Sequence, residues 1–177
     1  MIKKLFVILA VIILIGVFFV FRNYKPAENE QVSNEQNSLA QDYKNATYEI
    51  EGEKIQLQNG ASQNDSTTTS FFGNEAEGDL DGNGTTDVAF LLAQDGGGSG
   101  IFYYIVVALK TNSGYQGTNA VFLGDRIAPQ TTEIHGNELV VNYAERRADE
   151  PMTAEPSVGV SKYLKVSDGR LSEITKQ

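Results

Sequence analysis

The sequence predicts a mostly β protein, a small antiparallel sandwich or partly closed barrel preceded by one N-terminal transmembrane helix. Two observations predict the β domain. From Ala46 onward apolar residues alternate with polar ones, or come in short runs punctuated by Gly, Asn and Asp, which is the period of a half-buried strand. Nowhere in that region does the i, i+3, i+4, i+7 spacing of an amphipathic helix persist over helical length. A third observation predicts the anchor: an uninterrupted apolar run begins at Leu5 and ends at Phe21, with Lys3 and Lys4 before it and Arg22 and Lys25 after it.

The run holds seventeen residues. At about 1.5 Å per residue it nearly crosses a hydrocarbon core of about 30 Å, and the flanking cations snorkel to cover the difference. It ends in Phe18, Phe19, Val20 and Phe21 rather than in the small residues of a cleavage site. Residues 1–22 are therefore expected to be an uncleaved membrane anchor. The basic residues at Lys3 and Lys4 favour a cytoplasmic N-terminus, which puts the rest of the chain on the extracytoplasmic side. Residues 23–44 are rich in Glu, Asn, Gln and Ser and poor in large apolar side chains, the composition of a polar linker. Within it "SLAQDYKN" fits one or two helical turns with Ser38 as N-cap. Residues 45–177 form the predicted extracytoplasmic β domain.

Composition narrows the function. The chain has 177 residues and a net charge of -9. Acids are spread along it, whereas a nucleic-acid site needs clustered Lys and Arg, so no nucleic-acid partner is expected. With 0 Cys, disulfides, thiolate zinc sites and cysteine nucleophiles are all excluded.

Candidate strands follow from Thr47–Ile50 and then at 54–58, 67–72, 88–93, 101–110, 119–124, 131–135, Glu138–Glu145, 158–166 and 170–175. Three links are short enough for hairpins: "DGGGSG", the Gly136-Asn137 pair, and "SDG" at 167–169. The two runs on either side of "DGGGSG" are nearly continuous apolar stretches. Both faces of that hairpin should be covered, which places it at the centre of a sheet.

The stretch "GDLDGNGTTDVAFLL" reads D-x-D-x-N-G-x-x-D from Asp79 to Asp87. Side-chain oxygens fall at loop positions 1, 3, 5 and 9 (Asp79, Asp81, Asn83 and Asp87), and Thr85 at position 7 offers its carbonyl. Calcium takes six to eight hard oxygens, and a loop with this alternation and a Gly at position 6, here Gly84, can wrap it. A donor set without His or Cys disfavours zinc and copper. The loop resembles those of EF-hands, dockerins and FG-GAP repeats. Phe90 stands where an EF-hand has its bidentate Glu, and "VAFLL" continues as a strand, which favours the FG-GAP form. One copy is present, and a propeller needs several blades. The expected cofactor is a structural calcium ion.

Other constellations carry less chemistry. "GGGSG" lacks the Lys that completes a phosphate loop, and Ser99 lacks the flanking glycines of a nucleophile elbow. His135, the only histidine, stands just before a turn. Asn45-Ala46-Thr47 fits the glycosylation acceptor pattern. Charge gathers in otherwise apolar sequence at Asp125, Arg126, Glu145, Arg146, Arg147, Glu150 and Glu155. Asp125, Arg126, Glu145 and Arg146 are the candidate ligand groove, for peptide or glycan. The competing reading is a set of salt bridges pinning a loop.

The segments "FFGNEAEGDLDGNGTTDVAFLL", "GGGSGIFYY", "VFLGDRIAPQ" and "EPMTAEPSVGVSKY" together resemble a set of uncharacterised bacterial envelope proteins, anchored or secreted. The resemblance covers most of residues 45–166 and implies a bacterial origin and the extracytoplasmic side. It implies no activity. The expectation is a membrane-tethered, calcium-stabilised binding or structural module with an envelope glycan or protein as partner and no catalytic residues. The alternative is an envelope hydrolase acting on glycan or peptide through carboxylates near Asp125 and Glu145. A small inhibitor or immunity-like protein also suits the size and acidity.

Overall fold

The computed structural model describes residues 42–176. The predicted anchor at 1–22, residues 23–41 of the predicted linker, and Ser38 lie outside them. The first described element is a 3-10 turn, Tyr43–Asn45, whose N-cap is Asp42; its carboxylate accepts the Lys44 N–H at 2.9 Å. Twelve strands follow among the described residues: β1 (Thr47–Ile50), β2 (Glu53–Gln56), β3 (Ala61–Gln63), β4 (Thr68–Gly78), β5 (Asp87–Asp95), β6 (Ile101–Thr111), β7 (Gly114–Gly117), β8 (Val121–Asp125), β9 (Ala128–His135), β10 (Glu138–Glu145), β11 (Val158–Ser167) and β12 (Arg170–Glu173). The described part is mostly β, without an α-helix, and no helix in it is long and apolar enough to cross a membrane.

The strands form three open antiparallel sheets. The largest runs β3-β4-β5-β6-β7, with β8 also on the β6 edge; a second runs β12-β11-β10-β9, and β1 pairs with β2. All three predicted hairpins are present, joining β5 to β6, β9 to β10 and β11 to β12.

Strands β5 and β6 lie inside the large sheet, and their side chains serve two cores. Ala89 and Leu91 of β5 join Ile105, Val107 and Leu109 of β6 against Leu139, Val141 and Tyr143 of β10 and Leu164 and Val166 of β11. Their neighbours Val88, Phe90, Leu92, Tyr104, Val106 and Ala108 face the other way, onto Ala46, Tyr48, Ile50 and Leu57. Successive strand residues point to opposite faces, so a strand covered on both sides must be apolar at every position. This is the physical reason for the two continuous runs.

Tyr43, at the end of the stretch read from composition as linker, packs on the second core, with its ring 5.4 Å from Phe90. Lys44 lies over the Phe71 ring at 3.9 Å. Strand β4 runs to Gly78, well past the expected end at 72, because bulges around Gly73 and Asn74 let it bend and keep pairing with β5. The short strands β3 and β7 were not expected. "ASQ" is polar and "GYQG" is flanked by glycines, and both pair at the margin of the large sheet where no apolar pattern is required.

Candidate metal loop and charged pocket

The acidic loop joins β4 to β5, and Asp87 is the first residue of β5. Gly82 and Gly84 adopt φ of 80° and 83°, a left-handed conformation that Gly takes without penalty. These two turns fold the loop back on itself. Asp79 Oδ1 then accepts the Gly82 N–H at 2.8 Å and Oδ2 accepts Gly84 N–H at 2.9 Å. Asp81 Oδ1 accepts from Asn83 N at 3.0 Å. Leu80, between the two acids, is fully buried in the first core and anchors the loop to it.

Asp79, Asp81 and Asp87 each offer a carboxylate oxygen, and these three oxygens lie within 4.8 Å of one another. The cluster could hold a metal ion. Asp87 is fully buried, accepting Leu80 N–H at 2.9 Å and Lys110 N–H at 2.8 Å. Burial pushes its carboxyl above the usual carboxylate range, opposed by those two N–H groups and reinforced by the nearby Asp81 charge. No cationic side chain forms an ion pair with any of the three among the described residues. The other two expected ligands lie in the same loop and bond to each other. Asn83 Oδ1 accepts from Thr85 N at 2.7 Å and lies 2.6 Å from Thr85 Oγ1.

The second expected group gathers from segments some twenty residues apart. Asp125, Glu145 and Arg146 line one open pocket of about 260 Å³, together with Gly124, Ile127, Arg147, Glu150 and Met152. Arg126 stands beside it, paired with Asp125 at 3.0 Å, and Glu155 does not line it. A bulge in β8 lies at the pocket, where Tyr103 pairs with Gly124 and Tyr104 with Phe122. Gly124 has φ of 154°, and a Cβ there would come within 2.6 Å of Ile127 Cγ2. Arg126 is left-handed at φ 48°. Just past the bulge, Arg146 Nη1 donates to the carbonyls of Asp125 and Arg126, at 3.4 and 2.9 Å. Its Nε donates to Ala154 O, which ties the 147–157 loop back to the bulge. Gly124, Ile127 and Met152 were not singled out from the sequence; the unusual backbone of Gly124 is a consequence of pairing and has no local signature.

Asp125 accepts from Arg126 Nε at 3.1 Å, Arg126 Nη2 at 3.0 Å and Ile101 N at 3.0 Å. These donors, Arg126 foremost, hold its carboxyl below the usual carboxylate range. An acid so held donates no proton near neutrality. His135 is the last residue of β9, exposed, 3.2 Å from Glu133 Oε2. Asn45 Oδ1 accepts Asn59 N–H at 2.7 Å, while its Nδ2, the atom a glycan would modify, is buried without a hydrogen-bond partner among the described residues. No protein-family model, no curated protein and no solved structure matches the chain.

Proposed function

We propose that the chain is a membrane-tethered, extracytoplasmic binding or structural module whose β domain is stabilised by calcium. The observation that supports the calcium part is the convergence of Asp79, Asp81 and Asp87, one of them buried, without a pairing cation. Three like charges at that spacing repel, and burial adds to the penalty. A divalent ion that prefers hard oxygens reverses both effects. An affinity of about 0.1–1 mM, the range of extracellular modules, fits a loop with one Asn among its acids. At a hundredfold excess over Kd the ion stabilises the fold by about 2.7 kcal/mol.

The role is structural. Asp87 opens a central strand and holds Leu80 and Lys110, so the ion reinforces a junction of the fold. A catalytic ion needs an open position with an acid or base beside it. The tether is supported by the apolar run from Leu5 to Phe21, and the extracytoplasmic side by the basic residues Lys3 and Lys4 ahead of it. The partner proposed is an envelope glycan or protein. The hydrolase alternative needs a carboxyl kept protonated near neutrality, and Asp125 is displaced the opposite way.

A thermal melt of the detergent-solubilised full chain in calcium and in chelator tests the metal. Calcium should raise Tm in the parent and not in Asp81→Ala; a parent that melts identically in both has no such site. Protease added to intact cells should digest the region after residue 45, and protection of that region would overturn the topology.

A further inference from the structure

The pocket beside the β8 bulge holds charges that its own ion pairs do not cancel. Of the five charged side chains that line it, Asp125 is paired with Arg126, and Arg147 with Glu150, each at 3.0 Å. Glu145 and Arg146 remain. Neither has an ion-pair partner among the described residues. Arg146 spends Nε and Nη1 on the carbonyls of Ala154, Arg126 and Asp125. These neutral acceptors fix the plane of the guanidinium without forming an ion pair; its charge acts on Asp125 only through space, behind that of Arg126, while Nη2 meets no acceptor among the described residues. A cation held in this way is pre-organised for a carboxylate.

The remaining wall is apolar. Ile127 is buried, and Met152 is 47% exposed. A volume of about 260 Å³ lies below the ~300–1,000 Å³ of pockets that take drug-sized ligands, which suits one amino acid rather than an oligosaccharide or an extended peptide. A simple anion would be drawn to Arg146 and repelled by Glu145, and a simple cation the reverse. A ligand that carries both charges satisfies both residues.

We propose that this pocket binds a small zwitterion with an aliphatic group, its carboxylate on Arg146 Nη2, its ammonium on Glu145 and its side chain against Ile127 and Met152. The proposal rests on the reading of the domain as a binding module and names the class of ligand. Free amino acids and the ends of very short peptides share this chemistry.

The chain has two methionines, Met1 and Met152, so methyl-13C-methionine labelling of the detergent-solubilised full chain places one reporter in the pocket, assigned with Met152→Leu. Alanine, leucine and leucyl-leucine are titrated, with N-acetyl-leucine and leucinamide as analogues that each lack one charge. A saturating shift of the Met152 methyl with leucine, weakened about tenfold or more with either analogue, supports the proposal. A response to leucyl-leucine in preference to leucine assigns the pocket to a peptide end, and the converse to a free amino acid. Glu145→Gln, an exposed change, should abolish the preference for leucine over N-acetyl-leucine, read as the ratio of the two affinities within the variant so that any displaced Met152 methyl in the free variant drops out. Arg146→Ala also frees three carbonyls, so Glu145→Gln is the decisive variant. No Met152 shift with any of the three zwitterions up to about 50 mM, well past a millimolar Kd, overturns the proposal; so does an equal response to leucine and both analogues. The calcium-dependent melt reads a different region, so failure of one leaves the other standing.

Discussion

The Asp87 carboxylate accepts the backbone N–H of Lys110 at 2.8 Å, so the residue that ends the acidic loop also holds the far end of β6. Its other oxygen holds Leu80 N–H at 2.9 Å. Asp87→Ala leaves two N–H donors without their acceptor, at a cost of about 1–3 kcal/mol for each that is buried. Denaturant unfolding in chelator should show a loss of about 2–5 kcal/mol for this variant. The exposed Asp81→Ala should change stability by less than about 1 kcal/mol under the same conditions. In calcium neither variant should gain the ion's stabilisation, so each should keep the stability it has in chelator and the gap between them should persist.

Phe90 is fully buried, with its ring 5.4 Å from Tyr43, 5.4 Å from Tyr48 and 5.3 Å from Phe71. Phe90→Ala should cost about 3–5 kcal/mol, the transfer term plus the cavity left among the other rings. Phe122, 47% exposed on β8, is the control, and its replacement by Ala should stay within about 1 kcal/mol. Chemical unfolding of both variants checks the pair.

Gly117 is where β7 meets β1. A Cβ there would lie 2.3 Å from Thr47 O and 2.5 Å from Tyr48 Cδ1, and neither the backbone nor a fully buried ring can move aside cheaply. Gly117→Ala should destabilise the domain by about 1–3 kcal/mol. Gly98, at the tip of the β5–β6 hairpin, has open space around it, and Gly98→Ala should be neutral to slightly stabilising. Tm values for the two variants decide the matter.

Asp125 makes the domain sensitive to acid. Its folded pKa is depressed, chiefly by Arg126, so the stability it contributes is present above the unfolded value of about 3.9 and is lost as pH falls through the folded value. The parent should lose Tm steadily below about pH 4. Asp125→Asn should begin with a lower Tm at pH 7 and show a shallower fall, because it has no such proton to take up. Tm measured from pH 7 to pH 2.5 for both proteins tests the difference; parallel curves would remove this residue from the acid response.

Several features were legible in the sequence because they are local. The hairpin turns announced themselves through Gly and Asn, and the unbroken apolar runs of 88–93 and 101–110 stated that both faces were covered. The short strands β3 and β7 were illegible, since an edge strand needs partners and little else. The candidate pocket was half legible. Charge in an apolar context marked Asp125, Arg126, Glu145 and Arg146, whereas Gly124 and Ile127 come in beside a bulge that exists only when β8 pairs with β6, and Met152 comes in on the loop between β10 and β11.

The sequence by itself determined a β domain, the position of its central hairpin and the alternating oxygens of the acidic loop. All three are written in spacings of two, in unbroken apolar runs, or in the backbone preferences of Gly and Asn, and need no distant contact. The tertiary structure alone decided which face of β5 meets which layer, that Asp87 is buried while Asp81 is exposed, and that Glu145 and Arg146 stand unpaired beside Asp125. Those outcomes follow from packing between segments far apart in the chain, where burial, register and charge pairing are settled together.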